Sequence, residues 1–128
     1  MMDDAVLVTG GAQRIGAEIV RRLHGRGLDV LVHCRSSRDA AEALAEDLNG
    51  ERAGSARVVS ADLREHEAVT GLADEALRTV AAEGGRLVGL VNNASSFFPT
   101  PFGEATAEHW DDLFATNARA PFFLSQGL

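Results

Sequence analysis

Thr9-Gly10-Gly11-Ala12-Gln13-Arg14-Ile15-Gly16 stands between a short apolar run and a segment of helical period. Ala5 to Val8, β-branched at two places, reads as a buried strand stopped by glycines. From Arg14 onward Ile15, Ile19, Val20 and Leu23 recur at helical spacing, with Arg21, Arg22 and Arg26 on the other side and Gly25 and Gly27 closing the helix. A turn of this kind lets Gly10 reverse the chain without a Cβ clash. Gly16 lets the helix pack against the strand and a ligand come near the backbone. The free N–H groups of the helix start then face an anion. Arg14 stands where such loops usually carry their middle glycine, and a guanidinium there can reach a phosphate or a bound anionic or polar ring.

The same alternation continues. Val30-Leu31-Val32 reads as a second strand and Arg38 to Leu48 as a second helix, stopped near Asn49-Gly50. Arg57 to Ser60 is a third strand, and Glu65 to Glu83 a third helix stopped by Gly84-Gly85. Leu87 to Val91 is a fourth strand that opens into Asn92-Asn93-Ala94-Ser95. A loop with Pro99 and Pro101 follows, and Thr106 caps a last helix with Glu108 in its first turn. The order βαβαβαβα implies a parallel sheet with right-handed crossovers, covered on both faces: an α/β, three-layer αβα, doubly wound Rossmann-type fold. Phe122, Phe123 and Leu124 come just before the last residue, with no strand after them to use them. Residues 1–128 therefore read as the N-terminal part of a single dinucleotide-binding domain, truncated after about four strands. An uncovered fourth strand is a template for pairing, so self-association or a further C-terminal portion is expected.

Composition bounds the partners. Apolar residues make up 45% of the chain and charged residues 24%, ordinary values for a folded domain with a real core. The formal net charge of −7 argues against nucleic acid, which needs a clustered basic surface, and against an anionic membrane. No apolar run approaches the roughly 20 residues that span a bilayer. Cys34 is the only cysteine, and Met1-Met2-Asp3-Asp4 puts acid where a signal peptide carries positive charge, so a reducing, cytoplasmic setting is expected.

The end of the second strand speaks to the nucleotide. NAD binders place an acid there for the ribose hydroxyls. Here the segment is His33-Cys34-Arg35-Ser36-Ser37-Arg38, with no acid before Asp39. An arginine with serines offers a charged fork and hydroxyls, which suits a 2′-phosphate and favours NADP(H).

With these motifs in hand, the chain resembles the short-chain dehydrogenase/reductase family. Thr9-Gly10 through Gly16 resembles its cofactor loop. Asp62, in Ala61-Asp62-Leu63, resembles the aspartate that contacts adenine, and Asn92-Asn93-Ala94 resembles the family's Asn-Asn-Ala-Gly segment with Ser95 in place of glycine. Asn117 resembles the catalytic asparagine that holds a water of the proton relay. Within the family the chain is most similar to pteridine reductases, through Arg14, His33-Cys34-Arg35-Ser36 and Asn93-Ala94-Ser95-Ser96-Phe97-Phe98-Pro99-Thr100-Pro101.

The likeness implies an NADPH-dependent reduction of a C=N or C=O bond. It places the cofactor on Gly10, Arg14, Ile15, Gly16, His33, Arg35, Ser36, Asp62, Leu63, Asn93 and Ala94. Ser95 and Phe97 would hold a small-molecule substrate such as a pterin, stacked on the aromatic. A homo-oligomer, a tetramer by likeness, is also implied. The family's Tyr-x-x-x-Lys pair has no counterpart, for the chain contains no tyrosine and all 12 basic residues are arginine. A nucleotide-binding fragment without chemistry is thus the alternative reading. A methyltransferase-like domain is a third, disfavoured by the basic loop after the second strand.

The remaining residues read more plainly. His24, His66 and His109 lack Cys or carboxylates at ligand spacing, so no metal site is expected, and each reads as a surface or capping histidine. Cys34 reads as a small buried residue. Trp110 and Phe114, four apart, read as the packed face of the last helix. Glu42, Glu46 and Asp47 read as the solvated side of the second helix.

Overall fold

The structure, a computed structural model, describes residues 1–128. The elements are β1 (Asp4–Val8), α1 (Arg14–Gly25), β2 (Asp29–Cys34), α2 (Arg38–Glu51), β3 (Ala56–Ser60), α3 (His66–Ala82), β4 (Arg86–Val91), α4 (Ala107–Phe114) and α5 (Ala120–Gly127). A π-helical segment, Ala115–Arg119, joins α4 to α5 without a break. The strands form one parallel sheet in the order β3-β2-β1-β4, with Val6 opposite Val30 and Val32 opposite Val58.

Because successive side chains point to opposite faces of a strand, the sheet divides the core in two. Ala5, Leu7, Leu31 and Val59 pack with Val69, Leu72 and Val80 of α3 and Leu124 of α5. Val6, Val8, Val30 and Val32 pack with Val20 of α1 and Leu44 and Leu48 of α2. Every residue of β2 is buried, which accounts for its unbroken apolar character. β3 and β4 are the two sheet edges, and in β4 Val88 bulges out of register and is half-exposed.

Several local expectations need correction. Helix α2 runs through Asn49-Gly50 to Glu51, because Asn49 is not a stop. Its side chain donates to the Ala56 carbonyl at 3.0 Å and accepts the Ala56 N–H at 2.9 Å, tying the helix to the start of β3. His24 is neither a surface nor a capping residue: it is buried, with Nε2 at 2.7 Å from the Ser55 hydroxyl. Ile15 is 72% exposed, off the packed face of α1. Trp110 and Phe114 do stack, with ring centroids 4.6 Å apart, but Trp110 is 66% exposed, so the pair covers itself rather than the core. Among the closing aromatics Phe122 is exposed, Phe123 meets His66 edge-on at 4.6 Å, and Leu124 is fully buried. Thr106 caps α4 as expected. Its hydroxyl accepts the His109 N–H, and the His109 ring accepts the Thr106 N–H, each at 3.1 Å, so His109 is the other half of the cap. No helix is long and apolar enough to cross a membrane.

Candidate functional site

The turns after all four strands meet at the C-terminal edge of the sheet, where open parallel sheets bind ligands. They surround a cleft of about 480 Å³. Gly10 sits at φ +61°, a left-handed conformation that suits glycine. Its N–H donates to Nδ1 of His33 at 3.0 Å, and the Gly11 N–H donates to the His33 carbonyl at 2.9 Å. Because Nδ1 accepts, the ring proton lies on Nε2, which donates to the Ala61 carbonyl at 2.9 Å. Burial pushes the His33 pKa down, so the ring is a neutral bridge between the β1 turn and the β3 turn.

A second tie comes from Thr9. Its buried hydroxyl accepts the N–H groups of Asn93 and Ala94 at 3.1 and 3.0 Å. The Asn93 amide donates to the carbonyls of Thr9 and Gly10 at 3.2 and 3.1 Å. At Gly16 a Cβ would collide with the Gly10 carbonyl and come within 2.7 Å of the Asn93 amide nitrogen. His33 and Asn93 thus line the cleft while their polar atoms are engaged in building it.

The charges are unevenly paired. Arg21, Arg22, Arg38, Arg52, Arg57, Arg64 and Arg86 each face a carboxylate. Arg14 and Arg35, which line the cleft, make no such ion pair, although Arg35 lies near enough to Asp62 to help hold its carboxyl down. Arg14 holds φ +53°, the one non-glycine residue in the left-handed region. Ile15, exposed above, lines the cleft beside it. Asp62 lines the cleft too, but its carboxylate is forked by Arg64, with Nε and Nη2 at 3.0 and 2.8 Å. That fork holds Asp62 down to about 2 and raises Arg64. Leu63 is buried beside them. A glycine cradle that a Cβ would fill, two unpaired guanidinium groups and no free acid at the end of β2 fit a phosphorylated dinucleotide.

The other expected residues divide. Ser95 and Ala94 line the cleft. Ser36 is exposed and lies outside it, and Phe97 is 87% exposed and also outside, so the aromatic wall expected at Phe97 is not assembled. Asn117 falls in the π segment, a conformation that recurs at functional sites. Its amide donates to the Ser96 carbonyl at 2.9 Å and accepts the Ser96 N–H at 3.1 Å. Each end of that side chain is thus tied to the Ser96 backbone, with one amide N–H and one oxygen lone pair left over. The sequence reading missed Arg64 and Thr116, and it quoted Thr9, Gln13 and Ser96 within motifs without giving them a role of their own; all five belong to this cleft or its frame. Thr9 was signalled by its place before the glycines, and Arg64 by its spacing of two from Asp62. Nothing local marked Thr116.

Comparison with known proteins agrees with this geometry. A profile of the short chain dehydrogenase family matches residues 4–128. Pteridine reductase 1 of Leishmania tarentolae is 37% identical over 92% of the chain, which covers 50% of that protein. The 3-oxoacyl-[acyl-carrier-protein] reductase FabG of Aggregatibacter actinomycetemcomitans is 35% identical over 91% of the chain and 46% of its own length. Among solved structures, a blue fluorescent protein from a metagenomic library, in complex with NADPH, superposes with a TM-score of 0.89 at 33% identity, over 98% of the chain and 50% of that protein. FolM alternative dihydrofolate reductase 1 from Brucella suis, in complex with NADP, superposes with a TM-score of 0.85 at 39% identity, over 97% and 49%. The chain spans about half the length of the relatives it matches.

Proposed function

Because the chain belongs to the short-chain dehydrogenase family, we propose that residues 1–128 are the N-terminal, cofactor-binding part of one NADP(H)-binding domain of a pteridine-reductase-like oxidoreductase. The observation that carries the NADP(H) reading is the unpaired Arg35 at the end of β2, where an NAD site wants an acid. When bound, the nicotinamide supplies a hydride for a C=N or C=O bond. The chain's own residues bind and orient. Gly10 and Gly16 let the pyrophosphate approach the helix start, with Arg14 and Ile15 alongside. Arg35 and Ser36 take the 2′-phosphate. Asp62 and Leu63 face the adenine. His33 and Asn93 keep the loop in shape, and Ala94 closes the floor.

On the substrate side, Ser95 and Phe97 hold a flat heteroaromatic ring such as a pterin, with Phe97 turning inward to do so. Asn117 acts by fixing the Ser96 backbone. No tyrosine or lysine is among the 128 residues, so the proton-donating step is assigned to none of them. A homo-oligomer belongs to the same reading. The exposed Trp110–Phe114 stack and Phe122 support it.

The test is a fluorescence titration of the 128-residue chain with NADPH and with NADH. NADPH binds more tightly, and Arg35→Ala weakens NADPH by roughly 10-fold or more, as loss of a charged hydrogen bond implies, while leaving NADH unchanged. Equal affinities insensitive to Arg35→Ala overturn the reading.

A further inference from the structure

Arg64 is placed between two carboxylates on two different elements. On one side Asp62, after β3, takes Nε at 3.0 Å and Nη2 at 2.8 Å. On the other Asp112, on α4, lies 3.7 Å from Nη1, an ion pair not yet at hydrogen-bond distance. The backbone of Arg64 has holds of its own besides the side-chain fork. Its carbonyl accepts Arg119 Nη2 at 2.8 Å, and its N–H donates to Asp62 at 3.0 Å. The guanidinium can therefore swing while the loop stays put. Asp112 leads onward, since its other oxygen accepts the Ser96 hydroxyl at 2.9 Å, and the Ser96 backbone is clamped from both sides by Asn117.

We propose that Arg64 is a positioning residue, a movable fork that couples occupancy of the cleft at Asp62 to the order of the Ser95–Ser96 segment by way of Asp112. A ligand that presents a hydrogen-bond donor to Asp62 takes a place now held by Arg64. The displaced guanidinium edge closes the short gap to Asp112, and a better-held Asp112 fixes Ser96. The swing exchanges one charge-assisted carboxylate contact for another, and Asp62 and Asp112 are similarly part-exposed, at 30% and 25%, so the two arrangements lie close in energy. A ligand needs only a modest difference in contact between the two states to shift such a balance. The idea rests on the cleft being a nucleotide site, since the donor it needs is the amine of an adenine.

Adenosine 2′,5′-bisphosphate tests it, because this probe carries the adenosine end of the cofactor and no nicotinamide. Binding to the 128-residue chain is followed by calorimetry, and exchange of the Ser96 amide hydrogen by NMR. In the wild type the probe slows Ser96 exchange by roughly fivefold or more, the lower end of ordinary coupling between sites. In Asp112→Asn and in Asp112→Ala the probe still binds with near wild-type affinity, and the slowing is lost. A role in fold alone would raise exchange in the ligand-free variants and leave the ligand-induced ratio unchanged. Binding without slowing in the wild type, or equal slowing in all three proteins, overturns the coupling and leaves the nucleotide site standing. No binding to the wild type overturns the nucleotide site and the coupling with it.

Discussion

The Gly10 N–H donates to Nδ1 of His33 across 3.0 Å, so the turn that would receive a pyrophosphate is held by a side chain from the neighbouring strand. That bond exists only while the imidazole is neutral. His24, buried at the far end of α1, is likewise held below its ordinary value of 6.5, first by burial and then by Arg52.

A pH dependence follows from these two histidines. Their folded pKa values lie below the unfolded value of 6.5, so the unfolded chain takes up protons that the folded chain refuses. Stability is therefore complete above about pH 6.5 and falls as the pH drops below it. Paired carboxylates such as Asp62, held down to about 2, yield only at lower pH. Urea midpoints should decline from about pH 7 to about pH 5 and stay level above. A level midpoint across that range contradicts the assignment.

Arg14 sets stability against binding. At φ +53° an L-residue is strained by roughly 1–2 kcal/mol. Arg14→Gly relieves the strain, partly offset by glycine's greater unfolded freedom, and should raise stability by up to about 1 kcal/mol. The same change removes an unpaired guanidinium from the cleft and should weaken NADPH. Urea unfolding and an NADPH titration on one preparation read both. Loss of stability with unchanged affinity would show that the strained residue serves the fold alone.

Thr9 ties the ends of β1 and β4 together. Thr9→Val keeps the shape and leaves the Ala94 N–H without its acceptor, while the Asn93 N–H keeps the Val91 carbonyl at 3.1 Å. An unsatisfied donor out of water costs about 1–3 kcal/mol, so a loss of up to that size is expected by urea unfolding. Thr9→Ser retains the hydroxyl and should recover most of it.

Two apolar residues near the end of the chain should behave oppositely. Leu124 is fully buried against α3, and Leu124→Ala should cost about 2–5 kcal/mol. Trp110 is mostly exposed, and Trp110→Ala should change stability by about 0.5 kcal/mol or less in the monomeric chain. Thermal unfolding of the two variants distinguishes them.

The glycine loop, the alternation of strands and helices and the basic end of β2 were legible because each rests on a local signal: φ freedom, periodicity, or one charge at one position. The exposure of Ile15 and of the Trp110–Phe114 stack was not. Helical spacing says which residues share a face, and it does not say whether a neighbour covers that face. His24 was misread because its partner, Ser55, is 31 residues away. Asn49 looked like a helix stop because asparagine often is one, and its bonds to Ala56 appear only once β3 lies alongside. The π segment carrying Thr116 and Asn117 has no period of its own to read, and the clamp on Ser96 exists only because α4 and α5 meet there.

The division of the core by the sheet has a kinetic consequence. The buried cluster under α1 and α2 draws on residues between Val6 and Ala56, all close in sequence. The cluster under α3 and α5 must bring Met2 and Leu7 together with Leu124. Closing that longer loop carries the larger entropic cost, and contacts of short separation form sooner. The half-layer of α1, β2 and α2 is therefore expected to acquire amide protection first, with the cleft completed last, when α5 docks.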